Sequence, residues 1–262
     1  MQAHPSSFSP AFNPIEPPAR DGLTRRDALR SAFAAAGTAT LVGSSASAAQ
    51  PAAKPDARRA SPKRYAMKKS INLWAFPYPD RMNLRECLQL AKDAGFDGIE
   101  LNYDLDSDLS PKSGPKEFAQ IRRTAEKIGI AISGMCSFLF WPYPLTSNDA
   151  AKRARGLELA GKIAECAAEL GTENVLVVPG AVHIPWRTDH EPVPNDVCDK
   201  RAKEAIRKLI PAAEKLKVYL NIENIFFNGY LMTPGEMNDF VDSFKSDRVR
   251  VHFDTGNIMI DR

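Results

Sequence analysis

Short runs of apolar residues alternate with longer amphipathic stretches from Ser70 to the end of the chain. Six of these runs have the length and the branched side chains of buried β-strands, and they begin about 27 to 44 residues apart. The runs are Ser70–Phe76, Asp97–Asn102, Ile130–Cys136, Asn174–Pro179, Val218–Glu223 and Val249–Asp254. The pattern predicts six successive βα units.

Five helices are predicted between the runs from their apolar spacing and their end signals. In the first helix the apolar positions fall at i, i+3, i+4 and i+7: Leu84, Cys87, Leu88 and Ala91. Gly95 ends this helix, and a capping box at Thr233–Glu236 begins the fifth. The fourth helix, at about residues 196–216, contains Pro211, which is expected to kink or break it.

Repeated βα units form a parallel sheet with right-handed crossovers, either as an open doubly wound sheet or as an eight-stranded barrel. No G-x-G-x-x-G or P-loop motif follows any apolar run, so the usual support for a nucleotide-binding open sheet is missing. Barrels place functional residues at the C-terminal ends of their strands. Polar residues stand at those ends here: Glu100, Asn102, Glu223 and Asp254. The α/β architecture that we favour is therefore the (β/α)8 TIM barrel.

The sequence is short for a complete barrel. An eight-unit barrel needs about 250 residues, whereas about 200 residues follow the first 66. At the observed spacing about six of the eight βα units fit, and the sixth run ends at Asp254. A barrel that does not close exposes two strand edges. We therefore expect residues 67–262 to form a barrel domain that is incomplete at its C-terminal end.

The first 66 residues are rich in Ala, Pro and Ser and have no periodicity that would build a core. Arg25 and Arg26 precede a weakly apolar stretch that ends in the small residues Ala46–Ala48, as is typical of an export signal. Because the arginine pair resembles the twin-arginine motif, we expect a twin-arginine signal peptide at 1–49 and a Pro/Ala/Arg-rich linker at 50–66. The protein would then be exported to the periplasm or another extracytoplasmic space. The alternative is a disordered N-terminal extension.

Composition and charge remove several classes of protein. Hydrophobic residues make up 44% and charged residues 26% of the chain, which excludes a disordered or collagen-like protein. A net charge of +3 is too small to indicate a nucleic-acid partner, and no apolar run is long enough for stable membrane insertion. The four cysteines lie far apart within predicted helices and strands, so we expect buried thiols: Cys87, Cys136, Cys166 and Cys198.

Two carboxylates stand at the ends of neighbouring predicted strands. Glu223 ends the fifth run and Asp254 ends the sixth, and adjacent strands lie about 4.8 Å apart. Both carboxylates could bind one divalent ion, since a hard cation with oxygen ligands removes the free-energy cost of burying them. The spacing leaves open the alternative that they cap helices or form ion pairs with Arg or Lys.

Other candidate residues lie near the same ends of the strands. Glu100 contacts a substrate or forms a structural ion pair. His183 and Trp186 lie in the long loop after the fourth run, where they cover a substrate or belong to an ordinary surface loop. Asn257 contacts a substrate or caps the next element, and His252 is expected to belong to the barrel core.

Several segments resemble those of one known family. They are Trp74–Pro77, Ala91–Asn102, Val177–Gly180, Ile222–Asn228, Leu231–Met237 and His252–Asn257. Over about residues 68–260 the chain resembles the sugar phosphate isomerase/epimerase family. That family has the xylose isomerase-like TIM barrel, shared with ketose 3-epimerases and hexulose-phosphate isomerases and, more distantly, with endonuclease IV enzymes. The resemblance implies a barrel that acts on sugars.

The resemblance also implies roles for single residues. Glu223 matches the metal-binding glutamate of the family, which is often an acid/base catalyst, and Asp254 matches the second metal ligand. The other family ligands, a His and a Glu from strands seven and eight, have no counterpart in this sequence. The implied cofactor is Mn²⁺ or Mg²⁺. The implied reaction passes through an enediolate, with one carboxylate removing a proton and another returning it.

Two functions remain in competition. The first is a metal-dependent isomerase or epimerase acting on a sugar or polyol, and export favours a free sugar or cyclic polyol over a phosphorylated one. The second is a non-catalytic sugar-binding or interaction module that lacks strands seven and eight. An endonuclease IV-like enzyme is disfavoured because its metal cluster is rich in histidine, and this chain has four histidines. The aromatic run Phe138–Tyr143 lines a pocket or packs against a neighbouring subunit of a homo-oligomer.

Overall fold

The computed structural model describes residues 66–225 and 228–260. Within them, six strands form one sheet: β1 Ser70–Asn72, β2 Gly98–Asn102, β3 Ala131–Cys136, β4 Asn174–Val177, β5 Tyr219–Glu223 and β6 Val249–His252. Every strand pairs in parallel with the next one along the chain. A doubly wound sheet would reverse its strand order, so this order confirms a partial (β/α)8 barrel. The predicted leader, and all but the last residue of the predicted linker, lie outside the described residues.

A helix follows each of these strands: α1 Leu84–Asp93, α2 Pro115–Ile128, α3 Ala150–Leu170, α4 Asn195–Leu216, α5 Pro234–Asp242 and α6 Thr255–Ile260. The five predicted helices are confirmed. The capping box of α5 is also present, since the Glu236 N–H donates to the Thr233 hydroxyl at 3.2 Å and the Thr233 N–H donates to the Glu236 carboxylate at 2.9 Å. Gly95 follows α1 with a φ of 82°, a conformation that favours glycine.

Pro211 does not break α4, contrary to the expectation from the sequence. The helix continues from Asn195 to Leu216 through this exposed proline. A proline removes one helical hydrogen bond and crowds the preceding turn. The buried face of α4 nevertheless packs along the whole length of the helix: Cys198, Ala202, Ala205, Ile206, Leu209 and Ala213. The free energy gained by packing this face therefore exceeds the cost of the hydrogen bond that Pro211 removes.

The sheet has an apolar outer face and a largely polar inner face. Side chains of the outer face are buried in the hydrophobic core: Ile99, Leu101, Val175, Val177, Leu220 and Ile222. The inner face borders a cavity of about 460 Å³, whose polar lining residues are Ser70, Asn72, Glu100, Ser133, Asn174, Asn221 and His252. Bulky branched residues fill most barrel interiors. The polar lining therefore marks the inner face as a place for polar ligands.

Two further expectations concern the cysteines and the membrane. All four cysteines are free and buried, as predicted. Burial raises the pKa of Cys166 and Cys198 to about 12, so both stay protonated and contribute to packing of the core.

Across the described part of the chain, no helix combines the length and the apolar character that a bilayer span requires.

Candidate active site

The carboxyl groups of Glu223 and Asp254 meet at the C-terminal edge of the sheet. Glu223 ends β5 and pairs with His252, the last residue of β6. Asp254 comes two residues after His252, so strand alternation would place it on the same inner face, just beyond the end of β6. Burial, followed by the charges of Asp254 and Glu100 and a hydrogen bond with Asp254, raises the pKa of Glu223 to about 8. At neutral pH Glu223 is therefore largely protonated, and it forms a hydrogen bond with Asp254.

Asp254 uses one of its carboxylate oxygens at the start of α6. Its Oδ1 accepts the backbone N–H of Gly256 at 2.6 Å and that of Asn257 at 3.2 Å. One of the alternatives left open by the sequence, a helix cap, is therefore present. The other is absent among the described residues, where neither Glu223 nor Asp254 forms an ion pair with Arg or Lys. Both carboxyl groups are therefore partly buried and form no ion pair with an Arg or Lys side chain of the described residues.

Glu100 approaches this pair from β2 and is held by an amide. Its Oε2 accepts a hydrogen bond from Asn72 Nδ2 at 2.6 Å. Asn72 Nδ2 also donates to Cys136 Sγ at 3.2 Å, and the Cys136 thiol donates to Asn102 Oδ1 at 3.0 Å. Burial raises the pKa of the Cys136 thiol, so it remains a donor. Among the ion pairs of the described residues none includes Glu100, so Asn72 rather than a cation fixes its position.

His183 and Trp186 lie in the loop after β4, at the same end of the sheet as the carboxylates. Trp186 packs edge-to-face on Trp141, from the loop after β3, with ring centres 4.9 Å apart and an interplanar angle of 70°. The N–H of His183 donates to the Asn228 carbonyl at 3.0 Å, and the Asn228 side chain donates to the Gly180 carbonyl at 2.8 Å. The loops after β3, β4 and β5 thus form one connected wall at the end of the sheet that carries the carboxylates.

Asp189 gives this wall a further anchor. Its Oδ2 lies 2.7 Å from Arg187 Nη2 and 2.9 Å from Lys152 Nζ on α3. The hydrogen bonds from Arg187 and Lys152 hold the pKa of Asp189 well below its usual range. The loop that carries His183 and Trp186 is therefore tied to α3 as well as to its neighbouring loops.

His252 and Asn257 occupy different surroundings. His252 is half-buried and lines the inner cavity instead of packing in the hydrophobic core. The side chain of Asn257 donates to the backbone carbonyl of Asn224 at 2.8 Å. That hydrogen bond connects the segment after β6 to the segment after β5. A substrate contact by Asn257 stays a prediction.

Three asparagines that were not assigned a role from the sequence bind groups on neighbouring loops or strands: Asn72, Asn224 and Asn228. Asn224 and Asn228 are each 1% exposed, and both bind backbone groups of other loops. The position of Asn224, directly after Glu223 at the end of a predicted strand, was a sequence signal from which its role could have been found. Asn72 gives no such signal, because its partner Glu100 lies on another strand.

The donor set fits a hard divalent cation in part. Glu223 and Asp254 offer carboxylate oxygens, and the raised pKa of Glu223 shows that negative charge is disfavoured here without a positive partner. Oxygen donors of this kind suit Mn²⁺ or Mg²⁺. Residues 66–225 and 228–260 contain no cluster of three or more His, Cys, Asp or Glu side chains that could hold a metal. The pair would therefore supply two ligands of a larger set.

We expect the metal-free protein to lose stability between about pH 4.5 and pH 8 because of Glu223. Its folded-state pKa is about 8, against 4.5 for an ordinary glutamate, so the folded state keeps a proton that the unfolded chain releases. This stabilisation is fully present below the unfolded value and is lost as the pH rises through the folded value. Glu223→Gln should flatten the dependence and raise the free energy of unfolding above pH 8 by about 1–3 kcal/mol in urea denaturation.

Glu204 provides the control for this experiment. It is exposed on α4 and takes part in none of the ion pairs among the described residues. Glu204→Gln should therefore leave the pH profile of stability unchanged. Identical profiles for the unaltered protein and Glu223→Gln would contradict the environment assigned to Glu223.

Comparison with known proteins supports the assignment of this fold. Residues 88–262 match the family described as Xylose isomerase-like TIM barrel. The chain is 28% identical over 141 residues to L-ribulose-5-phosphate 3-epimerase UlaE of Escherichia coli O157:H7, and this match covers 53% of the chain and 47% of that protein. The chain thus spans about half the length of the curated relatives it matches.

Two solved structures are similar over most of the barrel. A D-psicose 3-epimerase crystallised in the presence of D-fructose is 27% identical, with a TM-score of 0.62 over 75% of this chain and 66% of that one. A D-psicose 3-epimerase from Clostridium cellulolyticum H10 with D-tagatose is 18% identical, with a TM-score of 0.63 over 74% of this chain and 65% of that one, and shares the fold. The family match over more than half of the chain and the strand order of the sheet agree, and this chain belongs to the xylose isomerase-like TIM barrel family.

Proposed function

We propose that this chain carries active-site residues of a metal-dependent isomerase or epimerase that acts on a sugar or related polyol. The contact between Glu223 and Asp254 supports the proposal most directly, because it lies at the strand ends where barrels carry their chemistry. The similarity to proteins named as 3-epimerases of L-ribulose 5-phosphate and of D-psicose adds support from outside the chain.

In the proposed reaction Glu223 accepts a proton from a carbon next to the carbonyl group of the sugar. The buried position of its carboxyl group beside Asp254, at the end of β5, supports this role. When bound by Glu223 and Asp254, a divalent cation supplies polarisation of the sugar carbonyl. For an epimer, a second acidic group on the opposite face donates a proton to the same carbon while Glu223 keeps the proton that it removed. For an isomer, a proton is delivered to the neighbouring carbon.

The inner face of the sheet offers the contacts that a polyhydroxy ligand needs. Asn72 and Asn221 line the cavity together with Glu100, which Asn72 holds at 2.6 Å. Amides and carboxylates pair with sugar hydroxyls as donors and acceptors. In this proposal Trp186, which is 48% exposed in the neighbouring loop, would cover such a ligand.

We favour a free ketose over a sugar phosphate as substrate. Export would separate the protein from cytoplasmic sugar phosphates, and the two D-psicose 3-epimerase structures are named with D-fructose and D-tagatose. Against this, the Escherichia coli relative is named for L-ribulose 5-phosphate. All three sugars therefore belong in the test.

The test is conversion of each sugar by the full chain with Mn²⁺ or Mg²⁺, followed by chromatography of the products. We expect a free ketose to yield an epimer or isomer, and EDTA to abolish the conversion. Absence of product from every sugar would overturn the catalytic proposal. Sugar binding by calorimetry without any conversion would favour the non-catalytic binding module instead.

We also propose export through the twin-arginine pathway, from the sequence pattern around Arg25 and Arg26. These residues lie outside the described part of the chain. Replacing both arginines with lysine should keep the protein in the cytoplasmic fraction of the host, while the unaltered protein is recovered outside the cytoplasm. Equal distribution of the two proteins between fractions would contradict export by this route.

A further inference from the structure

Asn224, directly after Glu223, binds the backbone of Asp254 through both ends of its side-chain amide. The Asp254 N–H donates to Asn224 Oδ1 at 2.7 Å, and Asn224 Nδ2 donates to the Asp254 carbonyl at 2.8 Å. The Asn224 side chain is buried, with the residue 1% exposed. Two hydrogen bonds of this kind orient the Asp254 peptide more tightly than a single contact does.

These bonds continue the pairing of β5 with β6 beyond the point where the backbone ladder ends. The last backbone pair joins Glu223 and His252. One step further, the Asn224 amide takes the place of a main-chain partner for Asp254. Asn257 Nδ2 closes the arrangement from the other side by donating to the Asn224 carbonyl at 2.8 Å.

The side chain of Asp254 is restrained as well as its backbone. Its Oδ1 accepts two backbone N–H groups, from Gly256 at 2.6 Å and from Asn257 at 3.2 Å. Both backbone donors use Oδ1, so the Glu223 carboxyl group, or a cation bound between the two residues, would use Oδ2. The asparagine contacts therefore set both where the carboxylate stands and which oxygen it presents.

We propose that Asn224 is a positioning residue that holds the Asp254 carboxylate against Glu223, so that Asp254 presents Oδ2 to a bound cation. The ligand in this inference rests on the proposed function, whereas the restraint on Asp254 does not. Residues that orient metal-binding side chains typically change metal affinity 10–100-fold when they are removed. We expect a loss of this size for Mn²⁺ when Asn224 is replaced by alanine.

Asn228 offers a closely matched control. It is also 1% exposed, and its amide also makes two hydrogen bonds to the backbone, donating to the Gly180 carbonyl at 2.8 Å and accepting from the Tyr230 N–H at 2.9 Å. Neither partner belongs to the carboxyl pair. Asn228→Ala should therefore lower stability to a similar extent without the loss of Mn²⁺ affinity.

The experiment compares the full chain with Asn224→Ala and Asn228→Ala by two readouts. The first is Mn²⁺ affinity from the electron paramagnetic resonance of free Mn²⁺. The second is amide hydrogen exchange of a peptide covering residues 252–257 in the metal-free protein. We expect only Asn224→Ala to weaken Mn²⁺ binding 10–100-fold and to speed exchange in this peptide. Should that variant fail to fold, Asn224→Ser, which retains one hydrogen-bonding group, should give smaller changes of the same sign.

Unchanged Mn²⁺ affinity in Asn224→Ala, or equal losses in both variants, would overturn the positioning role. Unchanged exchange in the peptide would overturn the restraint itself. An unaltered chain that binds no Mn²⁺ would contradict the metal in the proposed function and the presentation of Oδ2 to a cation. In that case faster exchange in Asn224→Ala alone would still establish the restraint on Asp254, so the two failures are distinguishable.

Discussion

Replacing Glu223 with glutamine is expected to lower the rate of sugar conversion roughly 10²–10⁴-fold. Glutamine has nearly the size of glutamate but does not accept a proton from carbon. Its carboxyl group lies against Asp254 at the strand ends, where barrels carry their catalytic residues. The loss should appear in kcat, measured by product chromatography at saturating Mn²⁺ and sugar, with a smaller change in KM.

Glu204→Gln is the matched control substitution on the exposed surface of α4, and it should leave the rate of sugar conversion unchanged. Circular dichroism of both variants should match that of the unaltered protein. If Glu223→Gln kept kcat within about threefold of the unaltered value, Glu223 would not be the base. The other glutamate that reaches this region, Glu100, would then be the next residue to test.

Gly156→Ala is expected to destabilise the protein by about 1–3 kcal/mol. Gly156 is buried on α3, and a Cβ atom there would overlap the backbone carbonyl of Tyr143. Backbone cannot rotate away as a side chain does, so α3 or the loop after β3 must shift. That loop carries Trp141, which packs on Trp186 beside the candidate site. The free energy of unfolding from urea denaturation measures the effect.

Gly161 provides the control on the same helix. A Cβ atom at this position meets nothing within 4 Å. Gly161→Ala should therefore stabilise the protein by about 0.5–1 kcal/mol, because alanine restricts the unfolded chain and favours a helix. Equal effects of the two substitutions would contradict the close approach of α3 to the loop after β3.

The strand positions were predictable because period and length are local properties of the sequence. The predicted ends at Asn102, Cys136 and Glu223 are confirmed, whereas other runs end earlier than predicted. The first run was expected to extend to Phe76, whereas β1 ends at Asn72. There the Asn72 side chain accepts the Trp74 N–H at 2.8 Å and begins a 3-10 turn. The sixth run was expected to reach Asp254, but the Asn224 amide replaces the backbone ladder at that point.

The site was predictable to the extent that it follows from strand ends. Glu223 and Asp254 were expected to meet because adjacent parallel strands end at one edge, and they do. The hydrogen bond from Asn72 to Glu100 was not predictable, since it depends on the register between β1 and β2. The same holds for Asn228, whose side chain reaches Gly180 across 48 residues of sequence. Periodicity carries no information about such contacts.

Deuterium incorporation from solvent tests the central proposal most directly. The full chain is incubated in D₂O with Mn²⁺ and D-fructose or D-tagatose, and the sugar is followed by NMR. We predict that the unaltered protein exchanges hydrogen for deuterium on a carbon next to the carbonyl group, and that Glu223→Gln does not. Equal incorporation by the two proteins, or none by either, would contradict proton abstraction by Glu223.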